Sequence, residues 1–250
     1  MTLTDAASLS PAPTFQVPPF AARCLSSAES VWRDSFEHPF VKGLIDGSLD
    51  PQKFRFYQMQ DARYLEAYAD VCSIISTRVV DPSEKLWFIE GARMAIIVER
   101  ALHENYGKKI GYSADDIAGL KLSPNNRAYQ NHMLAAANHG TVLEALAALA
   151  PCPWLYADIG QEIISSGSAP SDSHPFKDWI DEYADPIFVE YTNQLLAYMQ
   201  SYADNSSDED EKERAVELFC LSARYEHLFW DQAWTGQTWP DEVRAEAAIE

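Results

Sequence analysis

A thiol stands between two prolines in the segment LAPCPWLYADIG, which covers residues 149–160. Cys152 is a candidate nucleophile, because the prolines interrupt a helical pattern and the N-terminus of a following helix can lower the pKa of a nearby thiol. The alternative is a small apolar side chain at a helix break, which is the commoner role of a cysteine. No Cys-His-Asn order accompanies Cys152, so the sequence does not support a papain-like protease.

Two carboxylates share helix faces with aromatic side chains. One helix face carries four residues at spacings i, i+4, i+7 and i+11, namely Tyr57, Asp61, Tyr64 and Tyr68. Glu226 precedes Phe229 by three residues in a second helical stretch. A carboxyl group held among aromatic rings ionises with difficulty, which suits a proton donor near neutral pH. The alternatives are an Asp61 at the rim of the domain, where it reaches solvent or an arginine, and a Glu226 paired with an arginine of a neighbouring helix.

Residue types that bind metals occur in two pairs at helical spacing, Glu99 with His103 and His227 with Asp231. Carboxylate-bridged di-iron bundles use Glu and His ligands on facing helices. The full ligand set requires further histidines, which this chain lacks at the corresponding helix positions. We therefore expect no metal ion, and we interpret the first pair as a hydrogen bond on one helix face.

Composition and charge restrict the class of protein. The formal net charge is −19, which repels nucleic acid and anionic membrane surfaces, so we expect neither as a partner. No run approaches about 18 apolar residues, and the N-terminus lacks the basic and apolar regions of a secretory signal. The four cysteines form no CxxC pair, which favours free thiols in the cytoplasm.

Helix signals recur along most of the chain. Asp50 and Asp81 each precede a proline, a combination that begins helices, and the second of these helices is predicted to end near Gly107. Gly140 is the predicted end of the next helix, and the Pro-Cys-Pro segment is predicted to separate two helical pieces. No alternation of strands with helices is evident.

The helical pattern predicts one all-α domain, a bundle of about eight to ten helices. We place this domain at residues 21–250. Residues 1–20 are rich in proline, serine and alanine, and we expect them to form a flexible N-terminal arm.

Seven motifs together resemble the TenA/thiaminase II family, and they follow the family's order over residues 28–235. They are FEHPFVKGLIDGSLD, FYQMQDARYL, ERALHENYG, AYQNHM, PCPWLYADIG, HPFKDWIDEYAD and RYEHLFWDQAW. The resemblance implies a haem-oxygenase-like all-α fold that binds no haem and no other cofactor, usually as a homotetramer. It also implies hydrolysis of 4-amino-5-aminomethyl-2-methylpyrimidine to the hydroxymethyl pyrimidine of thiamin salvage, and cleavage of thiamin into its pyrimidine and thiazole halves.

The resemblance also implies roles for individual residues. Cys152 matches the family's nucleophile, which places the chain in the cysteine-containing branch, and Glu226 matches the acid that protonates the leaving group. Asp61 matches the carboxylate that holds the pyrimidine, and Tyr64 matches the tyrosine that tunes the cysteine. Pro153 departs from the family pattern, which often has an aromatic residue there. The aromatic residues matched to the substrate pocket are Tyr129, Tyr156, Tyr183 and Phe229.

Two other functions remain open at the level of sequence. One is a haem-oxygenase-like di-iron oxidase, which the missing histidines weaken. The other is a non-catalytic regulatory member of the family. Because the net charge of −19 opposes direct contact with DNA, any regulatory effect would be indirect.

Overall fold

The computed structural model describes residues 15–166 and 170–240, with the backbone alone for residues 98–105. These residues contain helices and no strands, which confirms the predicted all-α class. The eleven helices of the described residues are α1 (Pro19–Glu37), α2 (Pro39–Asp46), α3 (Pro51–Arg78), α4 (Pro82–Ile110), α5 (Ala114–Gly119), α6 (Pro124–His139), α7 (Val142–Leu149), α8 (Pro151–Ser165), α9 (Lys177–Ala184), α10 (Pro186–Asn205) and α11 (Glu209–Thr235).

The helix count exceeds the predicted eight to ten because α2 and α5 span only one or two turns. Elements this short contain too few residues to display a helical period. The predicted N-terminal arm falls mostly on residues 1–14, which lie outside the described residues. The chain is already helical at Pro19, and Phe15 packs against the core.

The long helices begin where the sequence predicts them. The Asp50 carboxylate accepts a hydrogen bond from the Gln52 N–H at 2.8 Å, and Asp81 caps α4 in the same way. Both caps satisfy N–H groups that have no partner within the helix. The predicted end of α4 near Gly107 is wrong, since the helix continues to Ile110. Gly111 then takes a left-handed conformation, with φ of +77°, which ends the helix.

The structure corrects the predicted break at Cys152. Ala150, the only residue between α7 and α8, has helical dihedrals of −61° and −34°, so the chain runs almost continuously from one helix into the other. Pro151 and Pro153 occupy the first turn of α8, where missing N–H groups cost little. The Ser222 hydroxyl of α11 donates a hydrogen bond to the Ala148 carbonyl at 2.7 Å, which ties this stretch to α11. Cys152 therefore lies within a helix.

The α7–α8 stretch is a core element. By length and composition alone, the described residue range Val142–Ser165 could cross a membrane, and 83% of its most apolar window is buried within the fold. Around it, α3 packs along α4, and α11 packs against α1 and α7. Helices α3, α8 and α11, which carry the candidate residues, thus meet in the interior.

Helices α8 and α9 approach each other unusually closely at Gly160. A Cβ atom there would lie 2.5 Å from the backbone carbonyl group of Tyr183, so only glycine fits. The Gln161 side chain also donates a hydrogen bond to the Ala184 carbonyl at 3.1 Å. The end of α9 is therefore held at a definite position relative to the helix that carries Cys152.

Candidate active site

A cavity of about 420 Å³ opens between α3, α4, α8, α9 and the start of α10. Its volume falls in the range of small-molecule sites. Asp61, Tyr156 and Tyr183 are buried and form its inner wall, while Met94, Asp185 and Ile187 are exposed and mark its mouth. The cavity is lined by Asp61, Leu65, Tyr68, Gly91, Met94, Ala95, Cys152, Pro153, Tyr156, Glu182, Tyr183, Asp185, Ile187, Phe188 and Tyr191.

Four of the eight predicted site residues line this cavity, and four lie in a buried cluster beside it. The lining residues are Asp61, Cys152, Tyr156 and Tyr183. The buried cluster consists of Tyr64, Tyr129, Glu226 and Phe229. Within it the Tyr64 ring centroid lies 5.0 Å from that of Tyr129 and 5.6 Å from that of Phe229. Residues from α3, α6, α8, α9 and α11 thus meet in one region.

The Cys152 thiol connects the cavity with the buried cluster. Burial raises its pKa well above the ordinary value, and the negative charges of Glu226 and Asp61 raise it further. Hydrogen bonding from the Tyr64 hydroxyl lowers the pKa and only partly offsets these effects. The sequence-based expectation of a lowered thiol pKa is therefore wrong, because the thiol is buried and α8 continues α7 without a free helix N-terminus.

Glu226 is a buried acid without a basic partner among the described residues. Burial raises the pKa of its carboxyl group to about 8, although hydrogen bonding to Tyr129 and Cys152 lowers it. The Tyr129 hydroxyl donates to Glu226 Oε1 at 2.7 Å, which fixes the carboxyl group. The alternative of an interhelical ion pair with arginine does not hold. The Glu226 carboxyl group is therefore largely protonated near neutral pH.

Asp61 is the third candidate residue with an ionisable side chain at this site, after Cys152 and Glu226. Its side chain is buried and faces the cavity, so the alternative of a solvent-exposed Asp61 does not hold. A buried carboxylate at a cavity wall favours a ligand that offers hydrogen-bond donors or positive charge.

Comparison with known proteins gives the evolutionary context of this arrangement. The sequence profile of the TENA/THI-4/PQQC family matches residues 25–236. The chain belongs to this family. The aminopyrimidine aminohydrolase of Halalkalibacterium halodurans is 33% identical over 221 residues, covering 88% of this chain and 97% of that protein.

Solved structures of relatives agree with the family assignment. A TenA homologue from P. horikoshii OT3 superimposes with a TM-score of 0.77 at 29% identity, covering 87% of this chain and 99% of the homologue. A domain with a heme oxygenase-like fold from Shewanella denitrificans OS217 gives a TM-score of 0.68 at 11% identity, covering 86% and 92% of the two chains. The predicted haem-oxygenase-like bundle is thereby confirmed.

Hydrogen bonds in this TENA/THI-4/PQQC family member orient the aromatic wall. Trp179 Nε1 donates to the Tyr57 hydroxyl at 3.2 Å, and Tyr57 donates to the Tyr156 hydroxyl at 3.2 Å. At the other side of the cavity the Tyr68 and Tyr191 hydroxyls lie 2.8 Å apart. Helical spacing predicts Tyr57 and Tyr68 on the Asp61 face but gives no sign of Trp179 and Tyr191. No local pattern singles out these two, because the packing of α9 and α10 brings them to the site.

The candidate metal residues are only partly brought together. The side chains of Glu99 and His103 lie outside the described residues. Of the second pair, His227 and Asp231 meet His38, and the candidate ligand atoms of the three lie within 4.8 Å of one another. The His38 and His227 ring centroids are 5.3 Å apart, and Nδ1 of His227 is buried with no hydrogen-bond partner among the described residues.

Hydrogen bonds at His38 define its tautomer. Nδ1 accepts a hydrogen bond from the Phe40 N–H at 3.1 Å, so the neutral ring carries its proton on Nε2, which donates to Asp231 Oδ1 at 3.1 Å. A metal at Nε2 would require that proton to move to Nδ1, where it would face the Phe40 N–H. The cluster therefore fits a structural contact between α2 and α11 better than a metal ligand set.

Replacing His38 by alanine is expected to reduce the free energy of unfolding by about 2 kcal/mol, since it removes both the cap of α2 and the bond to Asp231. His38→Asn keeps a capping oxygen and should lose about half as much. Denaturant unfolding at a mildly alkaline pH measures both changes. Equal losses in the two variants would contradict the capping role.

The contribution of His38 to stability is also expected to depend on pH. Burial lowers the pKa of His38 in the folded state below the usual 6.5. Asp231 raises this pKa and His227 lowers it, and the net effect is a lowered pKa. The neutral ring is thus favoured in the folded state, so its stabilisation is present above pH 6.5 and is lost as the pH falls through the folded pKa. His38→Asn should reduce this acid-dependent loss.

Proposed function

We propose that this chain hydrolyses 4-amino-5-aminomethyl-2-methylpyrimidine to the hydroxymethyl pyrimidine and ammonia, and that it also cleaves thiamin, within thiamin salvage. The observation that carries the proposal is a cavity-lining thiol, Cys152, beside a buried acid, Glu226, whose pKa of about 8 suits proton transfer near neutral pH. The similarity to an aminopyrimidine aminohydrolase over nearly the whole chain supports the same assignment.

The reaction begins with loss of the Cys152 proton. The Glu226 carboxylate, in hydrogen-bonding contact with Cys152, takes this proton, which leaves a thiolate and a neutral acid. The thiolate adds to the ring carbon beside the one that bears the methylene group, and the ring double bond shifts outward. The bond from methylene carbon to amine nitrogen breaks, and Glu226 returns the proton to the departing amine, which leaves as ammonia.

Water completes the cycle. Glu226, again ionised, takes a proton from a water molecule as the oxygen adds to the exocyclic methylene carbon. The electron pair returns to the ring and expels the Cys152 thiolate, whose sulfur recovers the proton from Glu226. Atoms and charge balance without an oxidant or a metal. Tyr64 stabilises the thiolate whenever it forms, because its hydroxyl lowers the thiol pKa.

The remaining site residues hold the ring. Asp61 accepts hydrogen bonds from the aminopyrimidine and stabilises its protonated form. Tyr156 and Tyr183 supply aromatic faces at the cavity, with their ring centroids 4.8 Å apart in an edge-to-face arrangement. Tyr129 acts through Glu226, and Phe229 packs against Tyr64, so these two support the reacting groups from the buried side.

We place the protein in the cytoplasm as a homotetramer without nucleic-acid or membrane partners. All four cysteines are free, which suits a reducing compartment. Helix α4 exposes the apolar side chains of Leu86, Ile89 and Ile97, which supports burial of this helix by another copy of the chain.

The purified protein is expected to release hydroxymethyl pyrimidine from the aminomethyl pyrimidine at a rate far above that of buffer. Chromatography of the pyrimidine product and an ammonia assay measure the two products in equal amounts. Thiamin and the formylaminomethyl pyrimidine serve as comparison substrates. Absence of turnover with all three, together with about one or two bound iron ions per chain, would support the di-iron alternative instead.

A further inference from the structure

The cavity carries negative charge and no described positive charge. Three carboxylates line it, Asp61, Glu182 and Asp185, whereas no lysine, arginine or histidine does. No ion pair joins Glu182 or Asp185 to a basic side chain within the described part of the chain. A concave site whose charged lining residues are all carboxylates concentrates cations and disfavours anions.

Glu182 is the carboxylate of this set whose role the proposed mechanism does not explain. It is half-buried at the end of α9, next to Tyr183 of the cavity wall. Burial raises the pKa of its carboxyl group, and the charge of Asp185 raises it further. Asp185 is exposed, and its Oδ1 accepts the Ile187 N–H at 2.7 Å, capping α10. A bound cation would relieve the repulsion between these two carboxylates.

The position of Glu182 is held by the surrounding helices. The contact of Gly160 with the Tyr183 backbone fixes this part of α9 against α8, the helix of Cys152. Tyr183 packs edge-to-face against Phe188 with ring centroids 5.1 Å apart, which fixes α9 against α10. Glu182 can therefore act at a defined distance from the reacting thiol rather than as a mobile surface charge.

The cavity also has room and a suitable wall for a second chemical group. A single substituted pyrimidine ring does not fill 420 Å³. The remaining lining includes the apolar side chains Leu65, Met94, Ala95 and Phe188, and Ile187 at the mouth is 79% exposed. An apolar wall with carboxylates at its edge matches a group that combines a carbon framework with positive charge.

We propose that Glu182, assisted by Asp185, recognises the positive charge of the substrate's leaving group, so that cationic substrates are preferred over a neutral amide of the same pyrimidine. This specificity role rests on the proposed function. Its chemical class of ligand is a pyrimidine methylene joined to a quaternary aromatic nitrogen, as in thiamin, because the aminomethyl pyrimidine reacts as a neutral amine that Glu226 protonates. The same carboxylates offer no favourable charge to a formylated, uncharged amine.

The test compares three substrates that share one pyrimidine ring: the aminomethyl pyrimidine, the formylaminomethyl pyrimidine and thiamin. Glu182→Gln keeps the side-chain shape and removes the charge. We expect the ratio of kcat/KM for thiamin to kcat/KM for the formylated substrate to fall about fivefold, and the corresponding ratio for the aminomethyl substrate to change little. The change should reside in KM rather than kcat, because thiamin carries its positive charge both when it binds and while the thiolate adds to the ring, so Glu182 stabilises the two states equally.

Two further variants and ionic strength sharpen the comparison. Asp185→Asn keeps the helix cap and should lower the same ratio by a smaller factor, about twofold. Glu190→Gln removes an exposed carboxylate of α10 that does not line the cavity, and should leave the ratio as in the parent protein. For the parent protein, raising the salt concentration should increase KM for thiamin more than KM for the formylated substrate.

The outcomes separate this inference from the proposed function. If the parent protein turns over none of the three substrates, the proposed function fails. If it turns them over and Glu182→Gln leaves the ratio unchanged, the function stands and the specificity role is overturned. A fall in kcat for all three substrates by the same factor would also overturn it, since that pattern indicates a structural effect on the site.

Discussion

Replacing Cys152 by serine is expected to reduce kcat for pyrimidine release by about 10³-fold or more, while the protein remains folded. The hydroxyl of serine ionises far less readily than a thiol, and no histidine lines the cavity to activate it. Asp61, Tyr156 and Tyr183 still hold the ring, so substrate binding should persist. Steady-state product assays measure kcat, and isothermal titration measures binding.

A matched cysteine variant controls for this change. Cys220 is free, half-buried on α11 and absent from the cavity, so Cys220→Ser should retain the activity of the parent protein. Thermal unfolding of both variants shows whether the fold is intact. Full turnover by Cys152→Ser would refute nucleophilic catalysis by this residue. If Cys152→Ser does not fold, the same activity and binding measurements are made on Cys152→Ala.

Replacing Glu226 by glutamine is expected to reduce kcat for the aminomethyl pyrimidine by about 10²–10³-fold, because the leaving amine loses its proton donor. The loss should be smaller for thiamin, whose thiazolium departs as a neutral thiazole and needs no proton. The amide oxygen can still accept the Tyr129 hydrogen bond, so the substitution preserves the local geometry. Parallel kcat measurements on the two substrates test this difference.

The same variant has a second readout at the thiol. The Glu226 charge raises the pKa of Cys152, so Glu226→Gln should shift thiol alkylation by iodoacetamide to lower pH. In the parent protein, Cys152 and Glu226 together lose one proton as the pH rises, and this singly ionised pair is the reactive form. Activity should therefore increase through about pH 8. An unaltered alkylation profile in the variant would contradict the assigned coupling between the two groups.

Much of the fold follows from local signals in the sequence. Asp50 and Asp81 predict the starts of α3 and α4 because an aspartate before a proline satisfies free N–H groups and presets the first turn. The end of α4 is harder to predict, since Gly107 inside the helix and Gly111 at its end look alike in sequence. Only the left-handed backbone conformation of Gly111 distinguishes them.

The members of the candidate site are easier to predict than their arrangement. Helical spacing and motif order are enough to indicate Asp61, Cys152 and Glu226. Their separation into cavity-lining residues and a buried cluster depends on how α3, α8 and α11 pack. The prolines around Cys152 predict a helix break, yet Ala150 keeps helical dihedrals and the chain continues from α7 into α8.

By itself, the sequence determined the all-α class, the helix starts and the chemical identity of the residues available to a site, because these depend on neighbours within a few positions along the chain. Only the tertiary structure decided the ionisation of Cys152 and Glu226 and the presence of Glu182 at the cavity. These properties arise from loss of water and from contacts between residues far apart in the chain, neither of which a local pattern encodes.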